Sequence, residues 1–232
     1  MKISVKLADL PMEIGLQHDE YRFVFAPFAS EEPPMAFAAI SPDELVRAAA
    51  WYPEGGAAYA EMMELCPRVS DALLPFGRLV FHALAFEWRG RVWLLTGPSG
   101  AGKTTHYLRW KLRYGEELRL LNGDKPLLEI PPEGAITVHP SPWYGKEGMQ
   151  QYFSGPLGGI ILLEKAAENR MRRMTPREAA GCLFTQLLIT RRACALEQAL
   201  LERTPLWLLQ NRGDSAAAEL CRDTLSKELT QL

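Results

Sequence analysis

The sequence predicts an α/β fold, a mixed and largely parallel sheet flanked by helices, preceded by a small α+β segment. Three observations predict it. From Leu79 onward, short apolar runs alternate with amphipathic stretches, the pattern of strands wound with helices. A glycine-rich stretch, Gly97 to Thr104, lies between one such apolar run and one helical run. Residues 1–75 differ in character, mixing strand-like runs, the break "SEEPP" and two helical patterns. The expected organisation is an N-terminal α+β segment over 1–75 and a core over 76–232; whether the first segment is a true domain or wraps onto the core is left open.

In chain order, "YRFVFAPF" (Tyr21–Phe28) reads as a strand. Ser41 can cap a helix over "SPDELVRAAAW", with Pro42 at its first position and acids in its first turn, and "AAYAEMMELC" reads as a second helix. "ALAFEW", a turn at Arg89-Gly90 and "RVWLL" read as a hairpin whose second strand enters the glycine stretch. "KTTHYLRWKLRYG" reads as a helix stopped by Gly115, and "LRLLNGD" as a buried strand beside the preceding one in a βαβ unit. "GGIILLEK" is another buried strand, Thr175 caps a helix in "TPREAAGCLFTQLL", and "PLWLLQ" and a helix from Asp214 close the chain.

The chain has 232 residues, 47% hydrophobic, enough for a sizeable core, and a net charge of -2. That balance gives no overall attraction to nucleic acid or to an anionic membrane, so neither is expected as a partner. Cys66, Cys182, Cys194 and Cys221 form no CxxC pair, and the most apolar run, "LLPFGRLVFHALAF", is interrupted by Pro75, Gly77 and Arg78. No signal peptide is apparent, and a cytoplasmic location is expected. A homo-oligomer is left open.

Gly97-Pro98-Ser99-Gly100-Ala101-Gly102-Lys103-Thr104 fits the phosphate-binding pattern GxxxxGK[ST] at every defined position. Glycines let successive backbone N–H groups turn inward around an anion, a lysine neutralises terminal phosphates, and a threonine hydroxyl reaches Mg²⁺. The positive end of the following helix adds to them. A nucleoside triphosphate and Mg²⁺ are therefore the expected cofactors, with Gly97, Ser99, Gly100, Ala101, Gly102, Lys103, Thr104 and Thr105 as the binding residues.

Such a site also needs an acid at a strand end to hold Mg²⁺. Asp124, after "LRLLNG", is the better candidate, and Glu164, after "IILL" and beside Lys165, reads as a solvated strand end. Thr104 and Asp124 are thus the expected metal ligands. Asp124 or His82 can serve as base toward a reacting hydroxyl. The 139–155 loop, "HPSPWYGKEGMQQYFSG", joins paired prolines to an aromatic, charged tip and suits a lid or acceptor-binding loop. Arg170, Arg172, Arg173, Arg177, Arg191 and Arg192 read mainly as a solvated basic face.

Taken in order, "FHALAFEWRGRVWLLTGPSGAGKTTH", "LRLLNGDKPLL", "SPWYGKEG", "GPLGGIILLEK" and "RMRRMTPREAAGCL" resemble the HPr serine kinase-related proteins, whose core is shared with ATP-dependent phosphoenolpyruvate carboxykinase. The resemblance covers about residues 79–222. It implies a phosphate-loop kinase core that uses ATP and Mg²⁺, a histidine near the phosphates or the reacting hydroxyl, matched by His82, and an Asp-Asp pair after the loop's helix. Only Asp124 matches that pair; the second position is Lys125. The catalytic set is then Asp124, Lys103 and His82. The implied activity is transfer of the γ-phosphoryl group of Mg-ATP to a hydroxyl, serine being the first guess, of a protein, peptide or small molecule. The runner-up is an ATP-binding regulatory module that hydrolyses slowly or not at all, favoured by Lys125. A nucleoside or nucleotide kinase is a third reading, for which the "RMRR" run is the only hint of an arginine lid.

Overall fold

The computed structural model describes residues 1–145, 148, 150–191 and 193–230. The chain opens with a hairpin: β1 (Lys2–Leu7) pairs antiparallel with β2 (Leu10–Gly15). Its two turn residues, Ala8 and Asp9, both take left-handed backbone, φ 47° and 61°, as a tight two-residue hairpin turn requires. Arg22–Phe28 is a 3₁₀ segment, not the expected strand. Val24, Phe25 and Phe28 all turn inward, a helical spacing that strand alternation cannot satisfy, and Pro27 removes a ladder donor. β3 (Ala36–Ala38) then joins β2 in parallel.

The helix expected after Ser41 is α1 (Pro42–Trp51). Ser41 Oγ accepts the Glu44 N–H at 3.3 Å and Glu44 Oε2 accepts the Ser41 N–H at 2.8 Å, a reciprocal cap. α2 (Gly56–Leu73) runs past the expected end near Cys66 and through Pro67. It buries Leu65, Cys66, Val69 and Leu73 against β1, β2, Phe25 and Phe28, and the same apolar cluster takes in Val80, Leu127 and Trp143 from the rest of the chain.

The larger sheet begins with β4 (Arg78–Val80), followed by the expected hairpin of β5 (Leu84–Trp88) and β6 (Arg91–Thr96), turning at Arg89 and Gly90 with φ 52° and 72°. α3 (Lys103–Tyr114) stops at Gly115, as expected. Then come β7 (Leu118–Asn122), the short β8 (Leu127–Glu129) and β9 (Thr137–His139), the long β10 (Gly155–Lys165) and β11 (Arg170–Arg173). α4 (Pro176–Leu183), capped by Thr175, α5 (Cys194–Arg203), β12 (Leu206–Asn211) and α6 (Ser215–Leu229), capped by Asp214, complete the chain.

The strand order is β4-β8-β9-β10-β6-β5-β7, with β12 on β10 and β11 on β12. Here the expectation of a largely parallel sheet is corrected. Within this sheet, among the described residues, only β10 with β6 and β10 with β12 pair in parallel, and its other pairings are antiparallel. Hairpins and short connections force antiparallel neighbours, and these strands outnumber those reached by a helical crossover. The βαβ expectation also changes: β5 lies between β6 and β7. Two antiparallel steps nonetheless leave β7 running the same way as β6, so both end at the same edge.

Alternation along the strands splits the core in two. Ala85, Val92, Leu94 and Ile160 face α4 and α5 through Ala179, Leu183 and Leu200. Phe86, Trp88, Trp93, Leu95 and Ile161 face α3 and α6 through Tyr107, Trp110, Cys221 and Leu225. Helices thus cover both faces of the central strands. No helix among the described residues is long and apolar enough to cross a membrane.

Candidate functional site

β6 ends in Thr96, fully buried, whose hydroxyl donates to the His82 carbonyl at 2.9 Å. The chain then turns through Gly97 at φ 139°, where an added Cβ meets Leu163 O of β10 at 2.9 Å. Only glycine fits that close approach of loop and strand. Gly100 and Gly102 also have positive φ, 78° and 97°, and face open space. Ala101 is buried and donates its N–H to Pro98 O at 3.0 Å, closing the turn. α3 starts from Gly102 with no side chain capping its first turn, so backbone donors and the positive helix end face outward from the loop.

Lys103, the first residue of α3, folds back over the loop. Its Nζ donates to Gly97 O at 3.0 Å and lies 3.3 Å from His82 Nε2. Burial holds the Lys103 ammonium below its ordinary range, opposed by the Asp124 charge and assisted by Lys125. His82, on the link between β4 and β5, is gripped twice by Gln186. Its N–H donates to Gln186 O at 2.8 Å, and its Nδ1 meets Gln186 Oε1 at 2.9 Å. Nε2 also lies 3.3 Å from Asp124 Oδ1.

Asp124 follows β7 in a turn shaped by Asn122, whose Oδ1 accepts the N–H groups of Asp124 and Lys125 at 2.9 and 2.8 Å. Burial pushes its carboxyl up, but its contact with His82 and the Lys125 charge outweigh that and hold it at about 2. Lys125 Nζ is hydrogen-bonded to Asp124 Oδ2. The Lys125 ammonium therefore neutralises the Asp124 carboxylate.

These groups share one cavity of about 720 Å³, lined by Ser99, Gly100, Gly102, Lys103, Thr104, Thr105, His82, Asp124 and Lys125. The same cavity has an apolar and aromatic wall of Tyr21, Phe23, Val24, Tyr59, Met62, Met63, Trp143 and Tyr144. Trp143 anchors that wall by donating to Met62 O at 2.8 Å and setting its ring edge-on to Phe25. Ser141 ties it to the strand end that carries Asp124, accepting from Asn122 Nδ2 at 3.1 Å and donating to Lys125 O.

The structure thus brings together Lys103, His82, Asp124, Thr104, Thr105 and the outer loop residues. Gly97 and Ala101 support the loop from behind. Glu164 stays outside, its Oε2 accepting from Gln210 at 3.3 Å. Of the 139–155 loop, Pro142 to Gly145 line the cavity; Lys146, Glu147 and Met149 lie outside the described residues, as does Arg192. The "RMRR" run is β11, not a lid. Arg172 pairs with Glu178 at 3.0 Å, and Arg173 pairs with Glu228 at 3.0 Å while covering the Trp207 ring. Arg191 donates to Asp71 O.

The sequence did not mark the aromatic wall from residues 21–24 and 59–63, because nothing local separates a cavity aromatic from a core one. Gln186 was hidden in the apolar run "CLFTQLL". For a divalent cation, Thr104 and Asp124 offer oxygens to the same cavity, and oxygen donors suit Mg²⁺. Asp9, Glu129 and His139 bring three ligand atoms within 4.8 Å of one another elsewhere, but Arg78 holds Glu129 at 2.6 Å and already supplies the positive charge.

Neither a protein-family model nor a curated protein matches the sequence. Among solved structures, the chain is similar to the HPr(Ser) kinase/phosphatase from Coxiella burnetii, with a TM-score of 0.38 and 14% sequence identity over 66% of this chain and 96% of that one. That is a distant structural relationship only.

Proposed function

We propose that the protein is an ATP-dependent phosphotransferase that passes the γ-phosphoryl group of Mg-ATP to a hydroxyl acceptor. One observation carries the reading: the glycine loop, its lysine, His82 and Asp124 converge in a single cavity that apolar and aromatic side chains also line. The cradle fits a phosphate chain, since Gly100 and Gly102 leave open space where side chains would otherwise stand. ATP supplies the phosphoryl group. Lys103 neutralises its terminal phosphates, Thr104 and Asp124 hold Mg²⁺, and Asp124 accepts the hydroxyl proton, which asks two tasks of one carboxylate. His82 borders both Lys103 and Asp124 and orients them. The acceptor, a protein, peptide or small molecule, is read by the aromatic wall and by the 142–145 part of the loop, with a serine hydroxyl as the first candidate.

A second reading rests on the Lys125–Asp124 contact. A carboxylate already neutralised by a neighbouring ammonium is a poorer base and metal ligand, which suits an ATP-binding module with little turnover.

The test is thermal unfolding with Mg-ATP, with Mg-GTP and without nucleotide, for the wild type and Lys103→Ala. Ligand at about 100 times its dissociation constant adds ~2.7 kcal/mol, a rise of about 5–10 °C for a chain this long. The expected result is a Mg-dependent rise that the variant loses, followed by transfer of labelled γ-phosphate to an acceptor. A rise without transfer favours the second reading, and no rise for any nucleotide sinks both.

A further inference from the structure

We infer that Gln186 is a positioning residue that sets the tautomer of His82 and, through it, the direction of the Lys103 ammonium. Four hydrogen bonds form a chain with one consistent polarity. Thr185 has a single hydroxyl proton, and at 2.7 Å it goes to Cys182 O, the carbonyl one turn back. The Thr185 oxygen therefore accepts from Gln186 Nε2 at 2.9 Å. That assigns the other end of the amide: Gln186 Oε1 faces His82 Nδ1 at 2.9 Å and can only accept, so the proton sits on Nδ1.

In the neutral ring the lone pair is then on Nε2, which lies 3.3 Å from both the Lys103 ammonium and Asp124 Oδ1; of these two only Lys103 has a hydrogen to give. A second hydrogen of Lys103 goes to Gly97 O at 3.0 Å. Two of its three donors are fixed by the protein, and the third is aimed by them. With the opposite tautomer Nε2–H would turn to Asp124 Oδ1, Lys103 would lose its acceptor on the ring, and Nδ1 would set a lone pair against Gln186 Oε1. The backbone reinforces the grip, since the His82 N–H donates to Gln186 O at 2.8 Å and Leu188 N–H to Val80 O at 3.0 Å. The segment after α4 is thus laced to the strand end before the hairpin. The assignment of the tautomer stands on the hydrogen bonds alone; its consequence for phosphate binding rests on the proposed function.

The experiment uses the ¹⁵N-labelled full chain without nucleotide, at a pH where imidazole is neutral. Long-range ¹H–¹⁵N correlation reads which ring nitrogen carries the proton, and a His82→Gln sample identifies the His82 signals. The expected result is a wild-type His82 protonated on Nδ1, becoming a mixture of tautomers in Gln186→Leu and in Thr185→Val. Thr185 is exposed, so its variant keeps the test open if Gln186→Leu fails to fold. In parallel, the dissociation constant of Mg-ATP is expected to rise about tenfold in Gln186→Leu, the scale of one lost hydrogen bond in a polar network. A wild-type His82 protonated on Nε2, or variants that keep the wild-type tautomer, would overturn the inference. A changed tautomer with unchanged Mg-ATP affinity would overturn the link to Lys103. Absence of any Mg-ATP binding beside the expected tautomer refutes the proposed function and leaves the positioning of His82 intact.

Discussion

Mild acid should destabilise this protein through one histidine on the loop's own helix. His106 is 3% exposed, its Nε2 accepts from Trp110 Nε1 at 3.1 Å, and its Nδ1 has no hydrogen-bond partner. Burial, with a smaller push from Arg109, lowers its pKa from 6.5 to about 4. As pH falls, the unfolded chain takes up this proton before the folded one does. The stability that His106 contributes is therefore complete above the unfolded value and is lost between pH 6.5 and about 4. At ~1.36 kcal/mol per pKa unit, going from about pH 7.5 to about pH 5 costs roughly 2 kcal/mol from this group alone, before most carboxylates titrate. His106→Gln keeps an acceptor for Trp110 and removes the titration. Urea unfolding of both proteins across that range should show the wild type losing about 2 kcal/mol more than the variant. A stability difference constant to within about 0.5 kcal/mol would refute the reasoning, since His106 would then be solvated or partnered in the folded state.

Gly97→Ala combines left-handed backbone with a Cβ 2.9 Å from Leu163 O, and should lower stability by at least about 2 kcal/mol as read by thermal unfolding. Trp110→Ala empties a fully buried site between Phe86 and Trp88; denaturant titration should find about 3–5 kcal/mol lost. Lys125→Met removes the cation on Asp124, so its carboxyl should climb from about 2 toward 3.8 in a ¹³C titration. Asp124 contributes stability above its unfolded pKa that is lost as pH falls through about 2, and the same variant should narrow that acid window. Asp124→Asn should abolish phosphate transfer from labelled ATP while leaving Lys103 in place, and undiminished transfer would remove Asp124 from the base role.

The elements most legible in the sequence carry their own local signals. α1 and α4 announce themselves by Ser41 and Thr175 with a glutamate three residues on, and the β5–β6 hairpin by Arg89-Gly90. The glycine loop was legible because its backbone demands glycine at fixed positions. Strands such as β8 and β9 span three residues each, too short for any period to show, and pairing between distant segments has no local signature. The site divides the same way: Lys103 and Thr104 follow from the loop, whereas the aromatic wall is created by tertiary packing of segments with ordinary core composition. The Tyr21–Phe28 run misled because its aromatic density suits a strand while Pro27 and the burial of adjacent Val24 and Phe25 do not.

The double hold of Gln186 on His82 also sets an order in time during synthesis. The glycine loop and its lysine leave the ribosome about 80 residues before Gln186 does, which at ~5–20 residues per second is roughly 4–16 s. Throughout that interval His82 lacks the carbonyl and the amide that fix it, and β12, the outer parallel partner of β10, has not been made. The nascent chain therefore carries the glycine loop before it carries the arrangement around His82, which is reached only when the last third of the polypeptide has emerged.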